Sequence, residues 1–476
     1  MYASKMKTAL AFFSSLLMAM LTLNAAAQPD CVIIAPPDFI DVWQWYAAER
    51  ANVKTNVEFA VVNTRDIYAA FPFGAGKANR NAAESIHEFI RTEAKKGTHY
   101  FVLGGIWINA QLLDAQGVST EGLKLRTGWK TFSPLSLENA VPGIMAWPNS
   151  ETGNRTGFGG FPSDTFYACT EIKKGTHPWD PDGDGWYMTS RELLDDDCDF
   201  FPSVSISRMS FKPSVINQPR TRHEEFYNFE SMVTNYVRKL ARGEAADFPG
   251  VGKAAAFVGN IKSLGDYDDM AEFRMAKTYG RYRPIKEKII EKQSFGDAYH
   301  FIFDDDWDFV FYAAHGNGSS VFAVTPRTFS CHACHGLTTF IGGNISCFSG
   351  NVNSTTAMNI DGTGERFYPS FTIGEGAISN PFGGALVSVN NSFYGYLAPT
   401  SFESLENGLS DEILTYMTEF VFRDRLPIGE AWRKGLWKYA DLVKHGKLND
   451  DIRYVRSAMI EQMYFGDPLV EAVKYP

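Results

Sequence analysis

His315 and Cys347 are the two side chains of this 476-residue chain best placed by their sequence context to act together as base and nucleophile. The apolar run DFVFYAA, from Asp308 to Ala314, leads straight into His315, and the run TFIGGN, from Thr339 to Asn344, stops just before Cys347. A third run, AAAFVG from Ala254, ends in Asn260. If the three runs are neighbouring strands of one open sheet, their carboxyl ends share an edge, which is where such sheets bind and react. A thiol there becomes nucleophilic when an adjacent imidazole lowers its pKa, to roughly 3.5–7.5 in such settings. The Asn260 amide could hold the imidazole in the tautomer that leaves its other nitrogen for the thiol. Gly316 has no side chain to obstruct its backbone N–H, which together with the Cys347 N–H could hold the oxyanion of a tetrahedral acyl intermediate. A lone cysteine or histidine at a strand end is more often a packed or hydrogen-bonded residue, so it is the combination that points to chemistry.

Two further groups of chemical interest lie outside that constellation. Asp180, Asp182 and Asp184 alternate along DPDGDG and are followed by Gly185, as in the first half of a calcium-binding loop. The twelfth position, where a bidentate glutamate belongs, is Arg191, with Glu192 and Asp195 close by. A structural Ca²⁺ and a solvated acidic turn are the competing readings. Cys169 and Cys198 flank this loop, and a disulfide between them would contribute about 3–4 kcal/mol in the chain-entropy model. Cys331-His332-Ala333-Cys334-His335 matches a haem-attachment pattern, and zinc is a second use of the same ligand types. Its single occurrence between two apolar runs, with no helical domain around it, favours a local disulfide or a pair of thiols.

The elements that must position these groups are legible as alternating strands and helices. Val32–Ala35 and Val57–Val62 read as strands with a helix from Val42 to Arg50 between them. A helix over Ala82–Lys96 precedes a strand over Tyr100–Gly105. From about 106 to 200 the chain is rich in Gly, Pro, Ser, Asp and Trp, without periodicity, and reads as long loops. Val204–Met209 reads as a returning strand, and His223–Arg242 as a long amphipathic helix. The pattern then repeats with strands over Ala254–Asn260, Asp308–Ala314, Thr339–Asn344 and Ala385–Asn390, and helices over Ser410–Arg425 and Gly429–Val443 close the chain. Strand–helix alternation implies parallel sheet covered on both faces. The expected fold is therefore a three-layer α/β/α arrangement, in two lobes (28–245 and 246–476) that each carry a mostly parallel sheet flanked by helices.

An apolar strand running into His-Gly, followed about 30 residues later by another running into Cys, resembles the caspase–legumain–gingipain clan of cysteine peptidases. Here the two segments are FVFYAAHGNGSS and TTFIGGNISCFSG. The likeness to gingipains extends to Ser163-Asp164-Thr165-Phe166-Tyr167, to Asp199–Val204 with Ser207-Arg208-Met209-Ser210, to Ile373-Gly374-Glu375 followed by GGALVSVNNSFYGY, and to Phe465-Gly466-Asp467-Pro468. It covers most of the chain from about 30 to 470 and implies a caspase-like fold. His315 would then be the general base and acid, and Cys347 the nucleophile that forms a thioester with a protein or peptide substrate. Gingipains carry an acid where this chain has Asn260, so the imidazolium would lack a charged partner. They cleave after basic residues by means of an acid a little downstream of that strand, where this chain has Asp266, Asp268 and Asp269. Tyr394 or Tyr396 would line the pocket wall. The long prodomain and the trailing immunoglobulin-like domains of gingipains have no counterpart in 476 residues, which keeps a catalytically silent binding protein as the alternative.

The amino terminus reads as an export signal over residues 1–27: Lys5 and Lys7, an apolar run from Ala9 to Leu23, then Ala25-Ala26-Ala27. The expected location is outside the cytoplasm, in the periplasm, at the cell surface or beyond. No later stretch reaches the ~20 apolar residues needed to span a bilayer. A net charge of −10 argues against nucleic acid or anionic membrane as partner. The composition, 45% hydrophobic and 21% charged, supports a large core. Oligomeric state is not readable, and no cofactor is required for the expected chemistry.

Overall fold

The computed structural model describes residues 28–120, 124–127, 131–148, 160–175, 177–211, 229–258, 278–282, 287–291, 304–313, 316–317, 320–321, 335–343, 347, 349–352, 372–393, 395, 409–448 and 452–472. The described strands are β1 (Cys31–Ala35), β2 (Phe59–Asn63), β3 (Tyr100–Leu103), β4 (Ile106–Asn109), β5 (Lys124–Thr127), β6 (Thr131–Pro134), β7 (Ala140–Ala146), β8 (Phe161–Ser163), β9 (Ser205–Arg208), β10 (Lys253–Val258), β11 (Glu287–Glu291), β12 (Trp307–Ala313), β13 (Gly316–Asn317), β14 (Ser320–Val321), β15 (Leu337–Gly343), β16 (Gly384–Asn391) and β17 (Gln462–Gly466). Ten of them form one sheet in the order β11-β10-β12-β15-β16-β17-β9-β3-β1-β2. The ladders between these neighbours are parallel except for β16 with β17, which is antiparallel. The sheet therefore consists of two parallel blocks running in opposite senses. Strands from before residue 245 make one block, strands from after it make the other, and β17 from the end of the chain joins them. This is a large, mostly parallel sheet flanked by helices, as the caspase-like expectation requires.

The strands follow their sequence. Parallel strands covered on both faces read as near-continuous apolar runs, and β1 (CVIIA), β12 over Trp307–Tyr312 and β16 (GALVSVNN) are buried along their length, with Asp308, Ser388, Asn390 and Asn391 as buried polar exceptions. The helix Ala82–Lys96 shows why its boundaries were readable. The Asn81 side chain accepts the N–H groups of Ala83 (3.0 Å) and Glu84 (3.2 Å), and Gly97 ends the helix with φ 116°. The helices Ile40–Val53 and Phe229–Gly243 pack against each other, and the second also packs on β15 and β16.

Three expectations change. The 106–200 region is not loop throughout: β4, β7 and β8 form a separate three-stranded sheet, and β5 pairs with β6. Most of these strands have only three or four residues, and in the longer β7 Gly143 sits where a Cβ would overlap the Trp107 indole, so backbone and ring fit together without an apolar repeat. The chain also continues past its expected last helix into a helix over Ile452–Ile460 and then β17. Cys169 and Cys198 are separate buried thiols. Hydrogen bonds close that loop instead: Lys173 Nζ donates to the carbonyls of Asp196 (3.0 Å) and Cys198 (3.2 Å), and the Glu171 N–H donates to Asp199 (3.1 Å). Burial raises the pKa of both thiols.

Candidate active site

β10, β12 and β15 are adjacent parallel strands, so their carboxyl ends lie on one edge of the sheet. Val258 at the end of β10 pairs with Ala313 at the end of β12, each two residues short of the residue of interest, Asn260 and His315 respectively. Tyr312 pairs with Gly343 at the end of β15, four residues before Cys347. His315 and Asn260 lie outside the described residues, as do Asp266, Asp268, Asp269, Tyr394, Tyr396, Cys331 and Cys334. Gly316 is described and opens a two-residue hairpin strand, paired with Val321 of β14.

Cys347 is partly exposed, in a turn that the sheet holds from below. The Gly350 N–H donates to the Asn391 carbonyl of β16 (2.8 Å), and the Ile373 N–H donates to the Ser349 carbonyl (3.0 Å). A Cβ at Gly350 would sit 2.7 Å from the Asn390 carbonyl oxygen, so the turn lies tight against β16. The Tyr312 hydroxyl, from the strand that leads to His315, donates to Asn390 Oδ1, and the Asn390 amide donates to Ser388 (2.7 Å). β12 and β16, on either side of β15, are thus tied together by buried polar side chains.

The electrostatics of Cys347 are mixed. Burial pushes the thiol up, the Glu461 carboxylate adds to this, and the backbone N–H groups of Gly395 and of Cys347 itself pull it down. Glu461 is fully buried, accepts the Ser410 hydroxyl (2.9 Å), and offers its backbone carbonyl to Ser392 N–H (2.7 Å) and hydroxyl (2.8 Å). Sequence reasoning missed it because it precedes β17, a strand the reading did not include, and lies more than a hundred residues from Cys347.

The other gingipain-like segments turn out to be scaffold. Asp164 takes a bidentate pair of hydrogen bonds from the buried Arg208 (2.6 and 2.7 Å), and Arg208 also donates to the carbonyls of Gly105 (3.3 Å) and Val141 (3.0 Å). The Tyr167 hydroxyl donates to the Pro142 carbonyl (2.6 Å) and the Ser163 hydroxyl to the Ile460 carbonyl (2.5 Å). Glu375 completes a capping box with Thr372 at the head of the helix after Cys347, and its other oxygen accepts the Ser210 hydroxyl (2.6 Å).

The acidic loop is also described. Asp180 Oδ1 accepts the N–H groups of Gly183 (2.8 Å) and Asp184 (3.1 Å), while Oδ2 accepts that of Gly185 (2.9 Å) and pairs with Arg80. Asp180, Asp182 and Glu192 gather so that one carboxylate oxygen of each lies within 4.8 Å of the others. Asp184 is not in that group, and its carboxylate accepts the Trp186 N–H (2.8 Å).

With the fold and this geometry in view, comparison with known proteins gives the class. The profile of Peptidase family C25 matches residues 24–473, and the chain belongs to that family. The class is that of cysteine peptidases, a group of hydrolases. A solved structure described only as a protease has a TM-score of 0.54 at 13% identity, over 94% of this chain and 79% of that one. Dimeric latent PorU from Porphyromonas gingivalis gives 0.37 at 11% identity, covering 94% of this chain and 30% of that chain. The separase–securin complex of Saccharomyces cerevisiae gives 0.30 at 14%, over 55% and 14%. No curated protein matches the sequence. No described helix is long and apolar enough to cross a membrane.

Proposed function

We propose that the chain is an exported cysteine endopeptidase that opens peptide bonds through a Cys347–His315 dyad. The observation that carries the reading is the shared edge of β10, β12 and β15, in a chain of Peptidase family C25, with Cys347 partly exposed beyond it. Burial and Glu461 oppose ionisation of the thiol, so the reading requires a base, and His315 is the imidazole that follows the neighbouring strand. Cys347 attacks the scissile carbonyl while His315 takes the thiol proton. The thioester forms as His315 returns that proton to the leaving amine, and water then releases the acid. Asn260 orients the imidazole, and the N–H groups of Gly316 and Cys347 receive the oxyanion. Asp268 or Asp269 would favour a basic residue before the scissile bond, with Tyr394 as a wall of that pocket.

The test is labelling of the purified protein with thiol-reactive peptidyl probes bearing Arg, Lys or an uncharged residue. We expect modification at Cys347, its loss in Cys347→Ala, and a rate lower by about 10²–10⁴ in His315→Ala. Absence of labelling by every probe in natively folded protein would favour the catalytically silent binding protein, and a preference for the uncharged probe would remove the acidic pocket.

A further inference from the structure

A buried hydroxyl joins the strand that leads to His315 to the turn that carries Cys347. Tyr312 of β12 stands three residues before His315, and its hydroxyl donates to Asn390 Oδ1 of β16. The same hydroxyl is hydrogen-bonded to the side chain of Ser349, two residues after Cys347. A phenol has one proton, which goes to the amide oxygen, so Ser349 is the donor in the second bond. Tyr312, Asn390 and Ser349 are all buried. The strand between them makes the reach possible. Tyr312 is level with Gly343 of β15, and Gly342 is level with Val389, so Gly343 stands in the row between Tyr312 and Asn390. Neighbouring strands are ~4.8 Å apart, so the Tyr312 ring must cross one strand to meet Asn390. Glycine leaves that lane open.

Two further ties hold this turn: the Gly350 N–H goes to the Asn391 carbonyl of β16, and the Ser349 carbonyl accepts the Ile373 N–H of the helix after the turn. The Tyr312 bond differs in kind, because it fixes the turn against the strand that delivers the base. Proton transfer from thiol to imidazole needs the two heavy atoms within hydrogen-bond reach, and a displacement of about 1 Å costs about 10²-fold in rate. A fully satisfied buried polar network is rigid, since no water competes for its partners. Burial raises the Tyr312 pKa, against a smaller lowering by Ser349, so the phenol keeps its proton and its donor role at any pH at which Cys347 is assayed. Phenylalanine at this position would fill the same space and lose both bonds.

We propose that Tyr312 is a positioning residue that sets the Cys347 turn at the distance from β12 at which His315 reaches the thiol, an inference that rests on the Cys347–His315 reading. The test is the rate of alkylation of Cys347 by iodoacetamide as a function of pH in the full chain, located by mass spectrometry of the peptide containing Cys347. The proteins compared are the parent, Tyr312→Phe, Ser349→Ala, His315→Ala and the variant carrying both Tyr312→Phe and His315→Ala. A weakened imidazole contact leaves the thiol harder to ionise. Tyr312→Phe should therefore raise the pH midpoint by about 0.5–1 unit and slow alkylation at pH 7 by about three- to tenfold. Ser349→Ala should move both in the same direction, and the double variant should match His315→Ala. Near-ultraviolet circular dichroism verifies native folding, and Ser349→Ala carries the test if Tyr312→Phe does not fold. Tyr46→Phe is the control for general loosening: it removes a buried hydroxyl bond to Asp467, just after the other end of β17 from Asn391. It should lower the urea midpoint and leave the alkylation profile where it is. Glu461 is present in every variant, so its charge drops out of the comparison. A midpoint that follows His315 but neither Tyr312 nor Ser349 would overturn the positioning role and leave the dyad standing. A midpoint indifferent to His315 would overturn the dyad, and the positioning role with it. An equal shift in Tyr46→Phe, or an effect of Tyr312→Phe undiminished without His315, would mean loosening of the fold and also overturn the proposal. Iodoacetamide carries no peptide, so substrate preference does not enter the result.

Discussion

At Cys347 the thiol meets opposing influences, and the balance can be moved by a single atom exchange. Burial and the Glu461 carboxylate disfavour the thiolate, while the backbone amides of Gly395 and Cys347 favour it. Replacing Glu461 by Gln removes the nearby negative charge and leaves a group that still accepts the Ser410 hydroxyl. The thiolate fraction at neutral pH should rise, so probe labelling should quicken by roughly two- to tenfold and its pH midpoint should fall. A slower reaction, or an unchanged midpoint, would mean that Glu461 does not act on the thiol. The sequence singled out Cys347 by the strand before it, whereas no local pattern marks Glu461.

The helix Ala82–Lys96 carries a pH-sensitive element. His87 is fully buried, its Nε2 lies 2.8 Å from the Cys169 carbonyl, and Nδ1 has no hydrogen-bond partner. Burial lowers its pKa to about 4, against 6.5 in the unfolded chain. The unfolded state therefore binds a proton first as pH falls, and stability is lost progressively between 6.5 and 4. The loss from this group is about 3 kcal/mol across that window. Urea unfolding at pH 7 and pH 4.5 should show the drop in the parent protein and a smaller one in His87→Gln. Equal drops would place the acid sensitivity elsewhere. This helix and the main strands were readable because their apolar spacing and caps are local. β4, β7, β8 and β17 were not: β4, β8 and β17 span only four, three and five residues, and β7 is interrupted by Pro142 and Gly143, so none shows a clear period.

Across the whole molecule, the end of the chain locks the two blocks of the sheet. Asp467, just after β17, accepts the Tyr46 hydroxyl (2.6 Å) and pairs with the buried Arg50 (2.6 Å), which also meets Glu244. Gly466 has φ 112°, and a Cβ there would overlap the Leu386 carbonyl. Breaking a buried pair leaves an uncompensated charge and typically costs about 3–5 kcal/mol. Asp467→Asn should lower unfolding stability toward the lower end of that range, since Glu244 remains, and denaturant melting would measure it. A loss below ~1 kcal/mol would mean that the pair does not hold the blocks together. The Phe465-Gly466-Asp467-Pro468 segment thus owes its character to closure of the fold.

The sequence by itself determined the strand–helix alternation, the parallel character of the sheet, the family resemblance and the candidate strand ends, because each is written in nearest-neighbour spacing and composition. Only the tertiary structure decided that the Glu461 charge acts on Cys347, that Glu192 rather than Asp184 joins Asp180 and Asp182, that Arg208 holds Asp164, and that Cys169 and Cys198 stay apart. Periodicity reports whether a residue is buried, and says nothing about which distant residue it is buried against. That choice is made by sheet order and by burial of charge, which are settled only when the whole chain is packed.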